Sequence, residues 1–263
     1  MTTVGDILHF LETLAPAGMK MDWDNVGLLV GSRSTPVDTV LVALDSYPHV
    51  CREAVQTGAQ LIVTHHPLIF STPKAITDET ADGRSPQLLR RHGISAINAH
   101  TNLDQAPGGV NDVLAEKLGL TNIRVMDPQG TDDQGREWGL LRKGCVGPIP
   151  LEAFLGQVKE ALGCEGLRYA DGGKPVHQVA VGGGACAGEL SEVLAAGCDT
   201  FVTSDVKYNQ FWDARELGIN LIDAGHFHTE NPVVGVLGEK IAAAFPEITV
   251  KISKSHHDCM KFF

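Results

Sequence analysis

The sequence has no apolar run approaching the ~20 residues a membrane-spanning helix needs, and no CxxC pair among its six cysteines. The first absence reads as a protein that does not cross a bilayer. The second leaves neither a disulfide framework nor a thiolate zinc site, so Cys51, Cys145, Cys164, Cys186, Cys198 and Cys259 read as thiols of a reducing cytoplasm, most of them small buried hydrophobes. A basic leader is absent as well. The opening MTTVGDILHFLETLAPAG carries Asp6 and Glu12, and its Val4, Ile7, Leu8, Leu11 and Leu14 recur at helical spacing, which gives an amphipathic helix rather than a signal peptide.

Positive charge is also scarce: 21 Lys and Arg stand against 32 Asp and Glu, for a formal net charge of −11. That balance argues against nucleic acid and anionic membranes as partners, since both demand an excess of basic residues. Neither a GxGxxG fingerprint nor a Walker lysine accompanies Gly182-Gly183-Gly184, which therefore reads as a tight turn from strand to helix.

What is present is an ordinary globular composition, 43% hydrophobic and 20% charged, in 263 residues, enough for one large core or two of modest size, with two domains the starting expectation. TVLVALD, SYPHVCREAVQTG and AQLIVTHH read as strand, helix ending at Gly58, and strand. HQVAVGGG, AGELSEVLAAG and CDTFVTSD repeat that order without a gap, placing Val40 on Val179, Glu53 on Glu192, Gly58 on Gly197 and Thr64 on Thr203. The likeness continues with Gly93 on Gly218 and Ile97 on Ile222. An internal duplication follows, with each half reading strand, helix, strand, helix, strand, helix. The fold expected is α/β: two related three-layer α/β/α domains with mostly parallel sheets and ligands at the C-terminal strand ends. The boundaries expected are 1–125 for the first domain, completed by 220–263, and 126–219 for the second. Between the halves, 121–176 reads as a connector or an addition to the second half, with a helix over LEAFLGQVKEALG.

The chemistry gathers at those strand ends. Thr64-His65-His66-Pro67 follows a strand that Pro67 prevents from continuing. Consecutive side chains on a strand face opposite ways, so both histidines can serve one cluster only where the strand breaks into a loop. NAHTNLD supplies His100 and Asp104, and LIDAGHFHTENP supplies His226, His228 and Glu230, with Asn231 a good N-cap before Pro232 at the first helical position. A lone histidine at a strand end is more often a hydrogen-bonded structural residue than a ligand. Convergence changes the balance, because His-His, His-x3-Asp and His-x3-Glu together offer nitrogen and oxygen donors suited to Zn, Fe, Mn or Co. Five ligands, His65, His66, Asp104, His226 and Glu230, exceed what one zinc takes, so two divalent metal ions are expected, about 3.5–4 Å apart. The two carboxylates neutralise only part of the charge of two such ions, which favours a small anionic substrate.

THHPLIF, NAHTNLDQAPGGVND, TSDVKY, DAGHFHTE and the early DNVGLLVG resemble, in order and spacing, the short form of the NIF-three-like family. These are the YbgI-type dinuclear metal-centre proteins, many of them labelled GTP cyclohydrolase I type 2. The resemblance implies a dinuclear site between two α/β/α domains and a toroidal homohexamer built as a trimer of dimers. It also implies that His65, His66, Asp104, His226 and Glu230 bind the metals while His100 serves catalysis, orienting a ligand or moving a proton. Ser204 and Asn209 depart from the family in the TSDVKYNQ loop. The internal repeat sets Asp205 where His66 falls, so Asp205 is expected either to face the same cleft or to cap a turn. The activity expected is metal-dependent hydrolysis with a metal-bridged hydroxide as nucleophile. The alternative is a non-enzymatic, metal-responsive or metal-handling ring scaffold.

Overall fold

The computed structural model describes residues 1–263, the side chains of Ala81 and Asp82 excepted. The chain forms two units, Met1–Ala106 with Val234–His257, and Pro107–Val233 with Asp258–Phe263. The division therefore falls earlier than the expected boundary after 125, and 220–233 belongs to the second unit. Hydrogen bonding explains both shifts, since the strands at 121–125 and 220–223 pair within the second unit's sheet.

The first unit runs α1 (Val4–Leu14), β1 (Gly27–Val30), β2 (Thr39–Ala43), α2 (Pro48–Thr57), β3 (Leu61–Thr64), α3 (Ala81–His92), β4 (Ser95–Asn98) and α4 (Thr101–Gln105). Thr3 and Asp6 form a capping box that starts α1, satisfying donors the first turn leaves open. Pro48 opens α2 and Gly58, left-handed at φ 68°, closes it. β2, β3 and β4 are parallel neighbours, with β1 antiparallel beside β4. Parallel pairing demands a crossover, and α2 and α3 provide it. They pack with Leu41, Ala43, Ile62 and Ala96 on one face of the sheet. The alternate residues Val40, Val42, Leu61, Val63 and Ile97 point the other way and are buried too, so neither face is left to solvent.

The second unit contains α5 (Val110–Lys117), β5 (Thr121–Val125), β6 (Gly130–Thr131), β7 (Glu137–Trp138), β8 (Arg142–Ile149), α6 (Leu151–Leu162), β9 (Arg168–Ala170), β10 (Val176–Val181), α7 (Leu190–Ala195), β11 (Thr200–Thr203), α8 (Tyr208–Leu217), β12 (Asn220–Asp223) and α9 (His226–Glu230). Two further elements carry the chain back: α10 (Pro232–Ala244), and β13 (Thr249–Ile252), which pairs in parallel with β2 in the first sheet. Pro232 opens α10 as its ring geometry suggests, and Asn231 just before it has helical angles (φ −54°, ψ −29°) at the end of α9. α5 and α6 cover one face of the second sheet through Leu114, Phe154 and Val158. α7 and α8 cover the other around Phe201, Leu190 and Ala214.

The second sheet corrects one expectation. Its order is β5-β8-β10-β11-β12-β9, and only β10, β11 and β12 are parallel. β5, β8 and β9 run antiparallel to their neighbours, so this sheet is mixed. The segment 121–176 supplies all three, which makes it an extension of the second sheet. Three cysteines, Cys51, Cys164 and Cys198, are buried as small hydrophobes; Cys145 and Cys186 are half-buried and Cys259 is exposed.

Candidate metal centre

In the first unit the candidate residues leave the sheet from adjacent strands. Ala43 lies opposite Thr64, and Thr64 opposite Asn98, at the last rungs of β2, β3 and β4. The residues just past those rungs are Asp45, His65-His66 and His100. Backbone bonds from His66 N to Leu44 O and from Ala99 N to Thr64 O, both 3.0 Å, extend the pairing while the strand geometry ends. Freed of strand alternation, His65 and His66 turn to the same side, their ring centroids 4.9 Å apart. His100 completes a triangle, at 5.2 Å from His65 and 5.5 Å from His66. The three imidazoles each offer a nitrogen within 4.8 Å of the others, close enough to hold a metal ion.

Each ring is oriented through Nδ1. In His65, which is 1% exposed, Nδ1 donates to Ala99 O at 2.9 Å, and the bond to a carbonyl fixes the tautomer. Nδ1 of His66 meets Asp45 Oδ1 at 2.7 Å, and Nδ1 of His100 meets Asp24 Oδ1 at 2.8 Å. Nε2 is thereby left as the donor atom for a metal, an arrangement found wherever carboxylates or carbonyls buttress histidine ligands. Asp24 is anchored further by the amide of Thr101 at 3.0 Å and by its hydroxyl. Burial works to raise the Asp24 pKa, yet the hydrogen bonds from His100 and Thr101 outweigh it and hold this carboxyl well below its ordinary value. Asp104 Oδ1 lies 3.5 Å from His65 Nε2.

The second unit builds a smaller set by the same device. Val181 lies opposite Val202, and Thr203 opposite Asp223, so Gly184, Asp205 and His226 follow the last rungs. His226 and Glu230 begin and end α9, one helical turn apart, which brings Nε2 of one to 3.1 Å from Oε2 of the other. The x3 spacing thus works through a helical turn, where a strand-end loop was expected. Nδ1 of His226 meets Asp205 Oδ2 at 2.8 Å. Asp205 takes a left-handed φ of 52°, unusual for a residue with a Cβ, and its carboxylate buttresses His226.

Glycine makes the room. At Gly184, with φ 66°, a Cβ would stand 2.1 Å from Glu230 Oε1. The turn is pinned by Gly184 N donating to Thr229 Oγ1 at 3.0 Å and by Thr203 Oγ1 donating to Gly184 O at 3.1 Å. The glycine triplet is the expected turn from strand towards helix, and it also accommodates a carboxylate.

His228 takes another direction, its Nδ1 3.2 Å from Leu162 O and its Nε2 3.4 Å from Asp258 Oδ2. Sequence reasoning missed Asp24 and Asp45. For Asp45 a carboxylate just past an apolar strand, in TVLVALD, was the signal available, whereas Asp24 stands ahead of β1 and DNVGLLVG offers no such signal. The shift that carries Ser95–Asn98 onto Asn220–Asp223 also carries Thr101–Gln105 onto His226–Glu230, so His226 matches Thr101 and the two donor pairs are out of register by one residue.

Fold and site together define a two-unit α/β protein whose buttressed histidines and carboxylates suit a divalent metal. The model of the Duf34/NIF3 (NGG1p interacting factor 3) family matches residues 2–259, and the chain belongs to that family. It is 35% identical over 264 residues to a protein of Clostridium perfringens named GTP cyclohydrolase 1 type 2 homolog, covering 98% of this chain and 99% of that one. A Clostridium acetobutylicum protein of the same name is 33% identical, covering 98% of each. Among solved structures, the Bacillus cereus protein related to NIF3 superposes with a TM-score of 0.93 at 26% identity, covering 100% of this chain and 99% of that one. No helix among the described residues is long and apolar enough to cross a membrane.

Proposed function

We propose that this protein is a dinuclear metal-dependent hydrolase acting on a small anionic molecule. The observation that carries the reading is the shared treatment of His65, His66, His100 and His226, each with Nδ1 engaged by a carboxylate or carbonyl oxygen. His65, His66 and Asp104 would hold metal from one unit, and His226 with Glu230 from the other. When bound, two divalent ions supply Lewis acidity, lowering the pKa of water and drawing in an anionic oxygen.

The chain's own groups do the remainder. Asp24 holds the His100 ring in place, so that His100 can pass a proton at Nε2 or orient the substrate. Asp45 and Asp205 hold His66 and His226 in donor orientation, a role whose loss typically costs about 10–100-fold in metal affinity. The curated relatives' name favours a nucleotide among anionic substrates. A homohexameric ring, a trimer of dimers, forms part of this reading on the family resemblance.

Anaerobically purified protein is expected to carry two metal ions per chain, and the His65→Ala and Asp104→Ala variants fewer. Screened against nucleotides, phosphoesters and cyclic amides, the metal-loaded protein should show turnover that both variants lose. Turnover equal to wild type in the variants would overturn the reading. Full metal binding with a blank screen would instead transfer support to a metal-handling scaffold.

A further inference from the structure

Beside the histidine triangle of the first unit stand two large aromatic residues that are not buried. Trp23 is 61% exposed and Phe70 57%. Their rings stack on each other at 5.7 Å between centroids with 28° between planes. Each also meets His100 edge-on, Trp23 at 6.0 Å and 73°, Phe70 at 5.8 Å and 69°. Single exposed aromatics are common on protein surfaces and need no explanation. A stacked pair in contact with a histidine that belongs to a metal-donor cluster is a different case.

The pair is held by its backbone. Asn25 Nδ2 donates to Ile69 O at 2.7 Å, tying the Trp23 loop to the Phe70 loop. Asn98 Nδ2 donates to Asn25 O at 3.0 Å, anchoring that junction to the end of β4. Lys20 Nζ donates to Asp24 O at 3.0 Å, and the Asp24 side chain grips His100 and Thr101. One short segment thus carries both the carboxylate that orients His100 and the indole beside it. Small-molecule sites combine a few convergent polar groups with aromatic walls, and an exposed ring face accepts any planar conjugated system.

We propose that Trp23 and Phe70 form the stacking face for the substrate, and that the substrate class is an anion bearing a planar aromatic or heteroaromatic ring. This rests on the dinuclear reading for the anionic end, while the ring preference belongs to Trp23 and Phe70. The anion would address the metals and the ring would lie beside His100, so the two residues decide which anions are retained.

The test compares phenylphosphonate, cyclohexylphosphonate and inorganic phosphate by calorimetry on zinc-loaded protein. The phosphonates cannot be hydrolysed, and the first two differ mainly in the planarity of the ring. Phenylphosphonate is expected to bind about tenfold tighter than cyclohexylphosphonate, the scale of one stacking contact. In Trp23→Ala and Phe70→Ala the ratio should fall towards one, and Trp23→Phe should retain most of it. Trp212→Ala, which removes another exposed indole, should leave the ratio unchanged. Equal affinity for the two ring compounds in the wild type, or a ratio that survives Trp23→Ala, would overturn the proposal. Failure of phosphate to bind while the phenyl preference persists would overturn the dinuclear anion site and leave the stacking face standing. No binding of any of the three would overturn both.

Discussion

At Gly184 a single hydrogen in place of a methyl group decides where a candidate ligand can sit. The residue combines a left-handed backbone with a carboxylate oxygen where a side chain would begin. Gly184→Ala is expected to cost about 1–2 kcal/mol in backbone strain alone, read as a lowered thermal midpoint. It should also displace Glu230 and weaken metal binding by about tenfold or more, the scale of a disturbed ligand environment, read by competition with a chromogenic chelator. Unchanged metal affinity would argue that Glu230 is not a ligand. At this scale much of the site was legible. His65, His66, Asp104, His226 and Glu230 announce themselves as donor types clustered after apolar strands. Asp24 and Asp45 did not, because each meets a histidine far along the chain, His100 and His66, and only the register of adjacent strands brings them together. Asp205 was half legible through its correspondence with His66; its contact with His226 depended on a backbone conformation that composition does not reveal.

Among the elements, α2 serves the sheet on one side and the segment after β13 on the other. Its Glu53 carboxylate accepts from Lys254 N at 2.9 Å and Ser255 N at 3.0 Å, and from the Ser253 hydroxyl. Burial tends to raise the Glu53 pKa, but these bonds prevail and hold it below the ordinary 4.5. A carboxyl with a depressed folded pKa stabilises the folded state above its unfolded value and loses that contribution as pH falls through the folded one. Amide protection at 254 and 255 is therefore expected to hold at pH 6 and to fall below about pH 4, near the unfolded carboxylate range. In Glu53→Gln the protection should be low at both, and hydrogen exchange followed by mass spectrometry would read it. A pH response equal in both proteins would place the anchor elsewhere. The helices and buried strands of both halves were legible because their apolar periods are strong and glycines at 58, 93, 163 and 218 close four of the helices. β8 was not, since RKGCVGPI mixes glycine, proline and charge, and takes its strand form from pairing with β5 and β10. The mixed second sheet follows from that one unreadable strand, from β5 beside it and from the short β9 at the opposite edge.

For the molecule as a whole, the chain leaves the first unit after Ala106, builds the second, and returns through α10 and β13. The return was legible in outline, as a C-terminal segment completing the first domain. Its limits were not, because the sequence marks helices and strands more clearly than it marks which sheet a strand joins. β13 pairs with β2 over four successive rungs, from Thr249 opposite Thr39 to Ile252 opposite Val42. During synthesis from the N-terminus, β2, β3 and β4 emerge long before β13. The β2 edge must then wait, unpaired, while the second unit is made, and an open apolar edge is a template for association with other chains. A chain ending at residue 248 is expected to accumulate in aggregates, and soluble, cooperatively unfolding protein from that truncation would refute the expectation. The order of manufacture thus runs against the order of assembly: the histidines of the first unit exist early, but the sheet that carries them is finished only once β13 has left the ribosome, after the whole of β5 to β12.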